Sequence, residues 1–174
     1  MRRPERSHLF LFQYGSNMSP DRLNGSKRLN GLATAIAAAK LDGWGIRFDL
    51  YSETNQSAVT DIVPAPGEYV MGILFEIPRA ALDTMDNIEG VRGDGTGNYQ
   101  RADAEVTVIP DGVTVAAITY IGTESGRERF RKQPAERHAV KSDYFEHLLA
   151  GARQFAFSRD YVAYLRRQAG RCVN

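Results

Sequence analysis

The sequence predicts an α+β domain built on a mixed, mostly antiparallel sheet or barrel with flanking helices. Two observations predict it. Short apolar segments separated by turn residues run through the first two thirds of the chain, which is typical of strands. Amphipathic segments with apolar residues at helical spacing fill the last third. No linker composition divides the 174 residues, so we expect residues 1–174 to form a single domain.

The first elements follow from apolar runs and the residues that end them. Residues 8–14 are rich in large apolar and aromatic side chains and stop at Gly15, which predicts a buried strand. Ser19 and Pro20 match an N-cap followed by proline at the first helical position, which predicts a short helix through Leu23.

The middle of the chain predicts more strands and one helix. Asp42–Gly43 favours a hairpin turn between two of these strands. A helix is expected to begin at Pro78 and to end at Gly90. Asp111–Gly112 predicts a second hairpin turn. The predicted strands are residues 33–41, 46–51, 58–63, 69–77, 99–109 and 113–121.

Two helices are predicted to close the chain. Ser142 is expected to cap the first and Ser158 the second, which ends at Gly170. Both have a broad apolar face, formed by Tyr144, Phe145, Leu148, Leu149 and Ala152 in the first and by Tyr161, Val162, Leu165 and Ala169 in the second.

Composition excludes several classes of function. A hydrophobic content of 43% supports a packed core, and a net charge of +1 indicates neither a nucleic-acid nor a membrane partner. The single cysteine, Cys172, cannot form an internal disulfide, and the apolar run Leu9–Phe12 is too short for a signal peptide, so we expect a cytoplasmic protein. His8, His138 and His147 lack ligand spacing, so we expect no metal site.

The turn Tyr14–Met18 is the first candidate site. Gly15 after a strand permits an unusual backbone angle and a close approach of the main chain to a ligand. Successive N–H groups in such a turn form a concave nest, and the following helix adds a positive end. Ser16 and Asn17 add side-chain hydrogen bonds, so the turn suits a carboxylate or a developing oxyanion. The local pattern alone favours the alternative, a polar turn without a ligand.

Glu89 is the second candidate. It lies seven residues after Leu82, which places it within about 20° of the apolar stripe of its helix. Burial and the helix C-terminus both raise the pKa of a carboxyl group there, as a general base near neutral pH requires. The alternative is a frayed helix end that points to water. Asp83 and Asp86 on the same helix are expected to be solvated.

Three further features lie downstream. Tyr99 and Tyr120, on the next strands, are candidates to line a pocket, with core packing as the alternative. The glycine-rich segment 93–97 lacks the lysine of a phosphate loop, so we expect a flexible loop that could also cover the site. The basic segment 127–141 is expected to be solvated surface.

Several of these residues resemble one known family. Tyr14–Met18 after an apolar strand resembles the signature of the gamma-glutamylcyclotransferase family, although Met18 replaces a more usual leucine. Residues 69–77 resemble the family's central strand, and residues 82–91 resemble its helix ending in the catalytic glutamate. The similarity covers nearly the whole chain in order, and the glycine-rich insert is longer than expected. Tyr99 and Tyr120 match tyrosines of two later strands of the family. Tyr144 with Gly151 and Ala152 resembles the family's late helix.

The resemblance implies a compact barrel-like fold that uses no cofactor. It implies a small-molecule gamma-glutamyl substrate, either an amino acid or amine derivative or glutathione, that is converted to 5-oxoproline with Glu89 as general acid/base. The implied substrate-binding residues are Tyr14, Gly15, Ser16, Asn17, Met18, Tyr99 and Tyr120.

The resemblance leaves a homodimer and two other functions open. One is a non-catalytic domain of the same fold that binds a small metabolite. The other is an enzyme that removes a gamma-glutamyl group from a biosynthetic intermediate, with the same residues and a different leaving amine.

Overall fold

The computed structural model describes residues 4–171 and contains a five-stranded barrel. Around the barrel the strands follow the order β1-β3-β2-β4-β5. Neighbouring strands are antiparallel except β1 and β5, which are parallel where the barrel closes. The predicted α+β fold with a mostly antiparallel barrel is therefore confirmed. The strands are β1 (His8–Gln13), β2 (Thr34–Ser52), β3 (Ser57–Pro78), β4 (Tyr99–Val108) and β5 (Thr114–Gly122).

Helices pack against the barrel and against its connections. Both α3 and α5 contact β2, while α4 packs on the turn that follows β1. None of the helices within residues 4–171 is long and apolar enough to cross a membrane. The α-helices are α1 (Pro20–Leu23), α2 (Leu82–Glu89), α3 (Glu124–Arg131), α4 (Ser142–Gln154) and α5 (Arg159–Gly170), and the 3-10 helices are Ser16–Met18, Arg79–Ala81 and Ala135–His138.

Four predicted strands form two long ones, so the predicted hairpin at Asp42–Gly43 is wrong. Pairing passes from Asp42 opposite Tyr69 to Trp44 opposite Pro64, so one unpaired residue of β2 lies opposite four of β3, and both strands continue beyond this bulge. Gly43 has φ +79°, a left-handed conformation that a bulge and a tight turn both use. The Asp-Gly pair was therefore a correct signal for the backbone conformation but not for a chain reversal, which occurs between β2 and β3.

Two of the three predicted caps are present. Ser19 Oγ accepts a hydrogen bond from the Arg22 N–H at 3.4 Å and begins α1 at Pro20, and Ser158 Oγ accepts from the Tyr161 N–H at 3.2 Å and begins α5. The predicted cap at Ser142 is wrong. Ser142 is the first residue of α4, and its hydroxyl donates to Asp143 Oδ1 at 3.4 Å.

The basic segment is only partly solvated, because its first residues belong to α3. Thr123 caps this helix by accepting the Gly126 N–H at 2.9 Å. Arg127 Nη2 forms an ion pair of 2.7 Å with the fully buried Asp61, and Phe130 joins the core. The expectation of a solvated surface is thus wrong for these two side chains. Cys172, by contrast, lies outside the described residues.

Candidate active site

A cavity of about 670 Å³ lies where the end of β1 meets the end of α2. The first residues after β1 and the last turn of α2 line it, together with residues 51–55 and part of α3. The structure therefore brings together side chains that are far apart in the sequence. Seven of the predicted site residues line this cavity: Tyr14, Gly15, Ser16, Asn17, Glu89, Tyr99 and Tyr120.

Met18 is the predicted site residue that does not line the cavity. Its N–H donates to the Gly15 carbonyl at 3.0 Å, so this group is already used within the turn. Its side chain is fully buried and packs against Gly151 of α4. Met18 thus anchors the turn to the helix behind it.

The turn itself is a short 3-10 helix, Ser16–Met18, preceded by Gly15. Gly15 has φ −104° and ψ −151°, so the expected unusual backbone angle is wrong. The glycine is required by a close approach instead, because a Cβ at this position would overlap Thr60 Oγ1. The N–H groups of Ser16 and Asn17 belong to the first turn of the helix, which provides no acceptor for them.

Glu89 is held at the end of α2 by the turn after β1. The helix stops at Gly90, which has φ +70°, and Glu89 Oε1 accepts a hydrogen bond of 2.9 Å from Asn17 Nδ2. Burial raises the pKa of Glu89 above its ordinary value, and the Asn17 hydrogen bond and the Arg28 charge oppose this shift without cancelling it. The alternative of a frayed end pointing to water therefore does not apply.

Besides Tyr51, four tyrosines form part of the cavity wall. Tyr14 donates its hydroxyl to the Tyr120 carbonyl at 2.6 Å, and Tyr99 donates to the Thr60 carbonyl. Tyr144 Oη accepts the Thr60 N–H at 3.0 Å. Burial raises the pKa of each of the four phenols, so they are neutral at physiological pH. The hydroxyl hydrogens of Tyr14 and Tyr99 are already donated to carbonyl groups. These two side chains are therefore available to a substrate only through their ring faces and through the lone pairs of their hydroxyl oxygens.

Asp86 supports this wall and is not the solvated charge that the sequence suggested. Tyr120 Oη donates to Asp86 Oδ1 at 2.8 Å, and Arg101 forms an ion pair with the same carboxylate. The Asp86 side chain is 21% exposed, whereas that of Asp83 is 98% exposed and solvated as predicted.

Sequence reasoning missed other cavity residues. Gln13 also lines the cavity, and its polar side chain at the end of an apolar strand was a usable signal. Tyr144 was noted in the late helix but was not assigned to the site. Arg28 had no sequence signal, because it lies in an irregular connection. Thr96 and Gly97 of the glycine-rich loop also line the cavity. Within residues 4–171, no three His, Cys, Asp or Glu side chains are grouped so that they could hold a metal ion.

Comparison with known proteins identifies the family. The model of the AIG2-like family matches residues 69–165, more than half of the chain. The chain belongs to the AIG2-like family. This AIG2-like protein is also 24% identical over 124 residues to human gamma-glutamylcyclotransferase, in a match that spans 69% of this chain and 62% of the human protein.

Solved structures share the fold of this AIG2-like protein. A structure of a gamma-glutamyl cyclotransferase superposes with a TM-score of 0.72 at 20% identity, covering 91% of this chain and 86% of the other. A yeast gamma-glutamyl cyclotransferase specific to glutathione superposes with a TM-score of 0.63 at 16% identity, covering 96% and 97%. At these identities the likeness shows the fold alone. The predicted gamma-glutamylcyclotransferase-like family and fold are confirmed.

Proposed function

We propose that this protein is a cyclotransferase that converts a gamma-glutamyl amino acid or amine to 5-oxoproline and releases the amine. The observation that carries the proposal is the Glu89 carboxylate, which lines the cavity and accepts a 2.9 Å hydrogen bond from Asn17. The likeness in sequence to a human gamma-glutamylcyclotransferase supports the same class of reaction.

Glu89 is proposed to begin the reaction as a general base. The α-amino group of a gamma-glutamyl compound is protonated near neutral pH and cannot attack a carbonyl carbon in that form. The Glu89 carboxylate accepts this proton, and the raised pKa of Glu89 makes the transfer more favourable than it would be to an exposed glutamate.

Ring closure then follows within one substrate molecule. The freed amine attacks the γ-carbonyl carbon, and a cavity that holds the chain folded supplies an effective molarity that can reach about 10⁵ M. Charge develops on the carbonyl oxygen, where each well-placed N–H donor lowers the barrier by about 3 kcal/mol. The Ser16 and Asn17 N–H groups are the proposed donors. The bond from the γ-carbon to the leaving nitrogen breaks as Glu89 returns its proton to that nitrogen. The ring nitrogen then loses its second proton to the departing amine, which leaves as an ammonium ion.

The charges around the cavity favour an anionic substrate. Arg28, Arg92 and Arg129 line it, against the carboxylates of Glu53 and Glu89. Of these two, Glu53 is already paired with Arg137 at 2.8 Å. A gamma-glutamyl group carries an α-carboxylate that this surplus of positive charge attracts. The volume of about 670 Å³ lies within the usual range of ligand sites and leaves room for a leaving group.

A substrate panel tests the proposal. Gamma-glutamyl amino acids, gamma-glutamyl amines and glutathione are incubated with the protein, and 5-oxoproline is measured against the Glu89→Gln variant as the blank. We expect at least one class to give release well above this blank. Release no faster than the blank for every compound overturns the proposal. Thermal stabilisation by these compounds without any release would instead favour the metabolite-binding alternative.

A further inference from the structure

Three side chains from distant segments form a continuous hydrogen-bonded chain beside the cavity. Arg28 Nη1, from the connection between α1 and β2, donates to Asn17 Oδ1 at 2.8 Å. Asn17 Nδ2 then donates to Glu89 Oε1 at 2.9 Å. Asn17 is almost fully buried, so its amide has little solvent with which to exchange these partners. The chain therefore connects a cationic side chain to the proposed general base through one amide.

The chemistry of the three groups permits only one orientation of that amide. An asparagine side chain has a donor end and an acceptor end, whereas a guanidinium donates only and an ionised carboxylate accepts only. The Asn17 oxygen must therefore face Arg28, and its NH₂ group must face Glu89. A flipped amide would bring two donors together at Arg28 and two acceptors together at Glu89. Both hydrogen bonds would be lost, and the buried donor and acceptor of the amide would have no partner.

We propose that Arg28 is a positioning residue that locks the Asn17 amide with its donor toward Glu89, and so holds the Glu89 carboxylate in one orientation facing the cavity. The proposal rests on the proposed role of Glu89 as general acid/base. It assigns to Arg28 an action through Asn17 and not a contact with the reacting atoms.

The surroundings of Glu89 show what loss of Arg28 would change. Burial favours the protonated form of Glu89, while hydrogen bonds from Asn17 and Gln13 and the positive charges of Arg28 and Arg22 favour the carboxylate. Arg22 donates to Asn55 Oδ1 at 2.8 Å, so it acts on Glu89 by charge alone. Loss of Arg28 removes one charge and frees the Asn17 amide, and both changes raise the pKa of Glu89. The remaining groups that face Glu89 are the neutral phenols of Tyr14, Tyr99, Tyr120 and Tyr144.

A direct role in substrate binding is the competing explanation, because Arg28 also lines the cavity. A guanidinium that only bound a substrate carboxylate would affect KM when removed. Removing such a guanidinium would still raise the pKa of Glu89 through the lost charge, but to the same extent with and without the Asn17 side chain. It would also act independently of Asn17.

The first test titrates Glu89 directly, without substrate. Carboxyl ¹³C resonances of labelled glutamate are followed with pH, and the Glu89 signal is assigned from its loss in Glu89→Gln. Arg28→Met is expected to raise the pKa of Glu89 by roughly 0.5 to 1 unit, and Arg28→Lys is expected to restore part of the shift. Lys27→Met removes an exposed charge from the same loop and is the matched control, with no shift expected. An unchanged pKa of Glu89 in Arg28→Met overturns the proposal.

The second test measures whether Arg28 acts through Asn17. We expect Arg28→Met to lower kcat about tenfold in the wild-type background and less than twofold in Asn17→Ala, because the amide it orients is then absent. Equal reductions in both backgrounds, or an effect confined to KM, overturn the proposal. The titration needs no turnover and no Asn17 variant. It therefore gives a result even if the substrate panel fails or Asn17→Ala does not fold.

Discussion

Asn17 Nδ2 donates a 2.9 Å hydrogen bond to Glu89 Oε1 and so joins the turn after β1 to the last residue of α2. The whole of β2 and β3 lies between the two residues in the sequence. Both line the same cavity, so the contact fixes the proposed general base beside the proposed oxyanion donors.

The acidic limb of the pH–rate profile should lie above the ordinary glutamate pKa of 4.5. Burial raises the pKa of Glu89 in the free protein, and the base is active only as the carboxylate, so kcat/KM should fall as pH decreases through this raised value. The measurement is kcat/KM for the best substrate over the range from about pH 4 to about pH 9. An acidic limb at or below 4.5 would contradict the assigned environment of Glu89.

Gly15→Ala should destabilise the protein and reduce activity, because the new Cβ would overlap Thr60 Oγ1. We expect a loss of about 1 to 3 kcal/mol in the free energy of unfolding. Thr60→Ala removes the overlapping atom and leaves Tyr144 Oη at 3.6 Å as the next neighbour. The double variant should therefore be more stable than the sum of the single effects predicts. Denaturant unfolding of the four proteins measures this coupling, and strictly additive effects would rule out the proposed overlap.

Tyr120→Phe should weaken the cavity wall without dismantling it. Asp86 loses the Tyr120 hydroxyl and keeps Arg101, while Tyr14 still donates to the unchanged Tyr120 carbonyl. We expect a stability loss of about 1 kcal/mol and a severalfold fall in kcat/KM. Tyr69→Phe, at a side chain that is 42% exposed, is the control and should change neither quantity. Equal behaviour of the two variants in unfolding and kinetics would remove Tyr120 from the proposed site.

Asp49→Asn should stabilise the protein increasingly as pH rises. Burial and the neighbouring Asp61 charge raise the pKa of Asp49 from 3.8 to about 6, against the opposing charge of Arg127. The folded state therefore gains stability from protonated Asp49 below about pH 4, and this contribution is lost as pH rises through about 6. Asparagine has no such dependence.

The measurement for Asp49 is Tm as a function of pH. The Tm of Asp49→Asn minus that of the wild type should grow between about pH 4 and about pH 7. Asp103→Asn removes one negative charge from an exposed position on β4 and serves as the control. A difference that stays constant with pH, or that shrinks toward neutral pH, would contradict the raised pKa of Asp49.

The sequence could predict those parts of the site that depend on local spacing. Glu89 shares a helical stripe with Leu82 and Met85, so its direction follows from helix geometry alone, and the structure places it in the cavity wall. The turn after β1 was predictable for a similar reason, because a buried strand ending in Gly15 must change direction there. Ser19 and Pro20 also marked the start of α1 correctly.

What could not be predicted depends on contacts between distant segments. Gly15 is required by Thr60 of β3, not by its own backbone angles. Arg28 reaches Asn17 from an irregular loop, and no periodic pattern indicates such a contact. The hairpin predicted at Asp42–Gly43 is wrong because a dipeptide that favours positive φ fits a turn and a bulge equally well.

The central claim is that the Glu89 carboxyl group transfers the proton during 5-oxoproline formation. The most direct measurement is kcat of Glu89→Gln beside the wild type, with Tm as the check on folding. Glutamine keeps an oxygen that can accept from Asn17, so Tm should change little, while kcat should fall by about 10²- to 10⁴-fold. A correctly folded Glu89→Gln variant that releases 5-oxoproline at nearly the wild-type rate would contradict the claim.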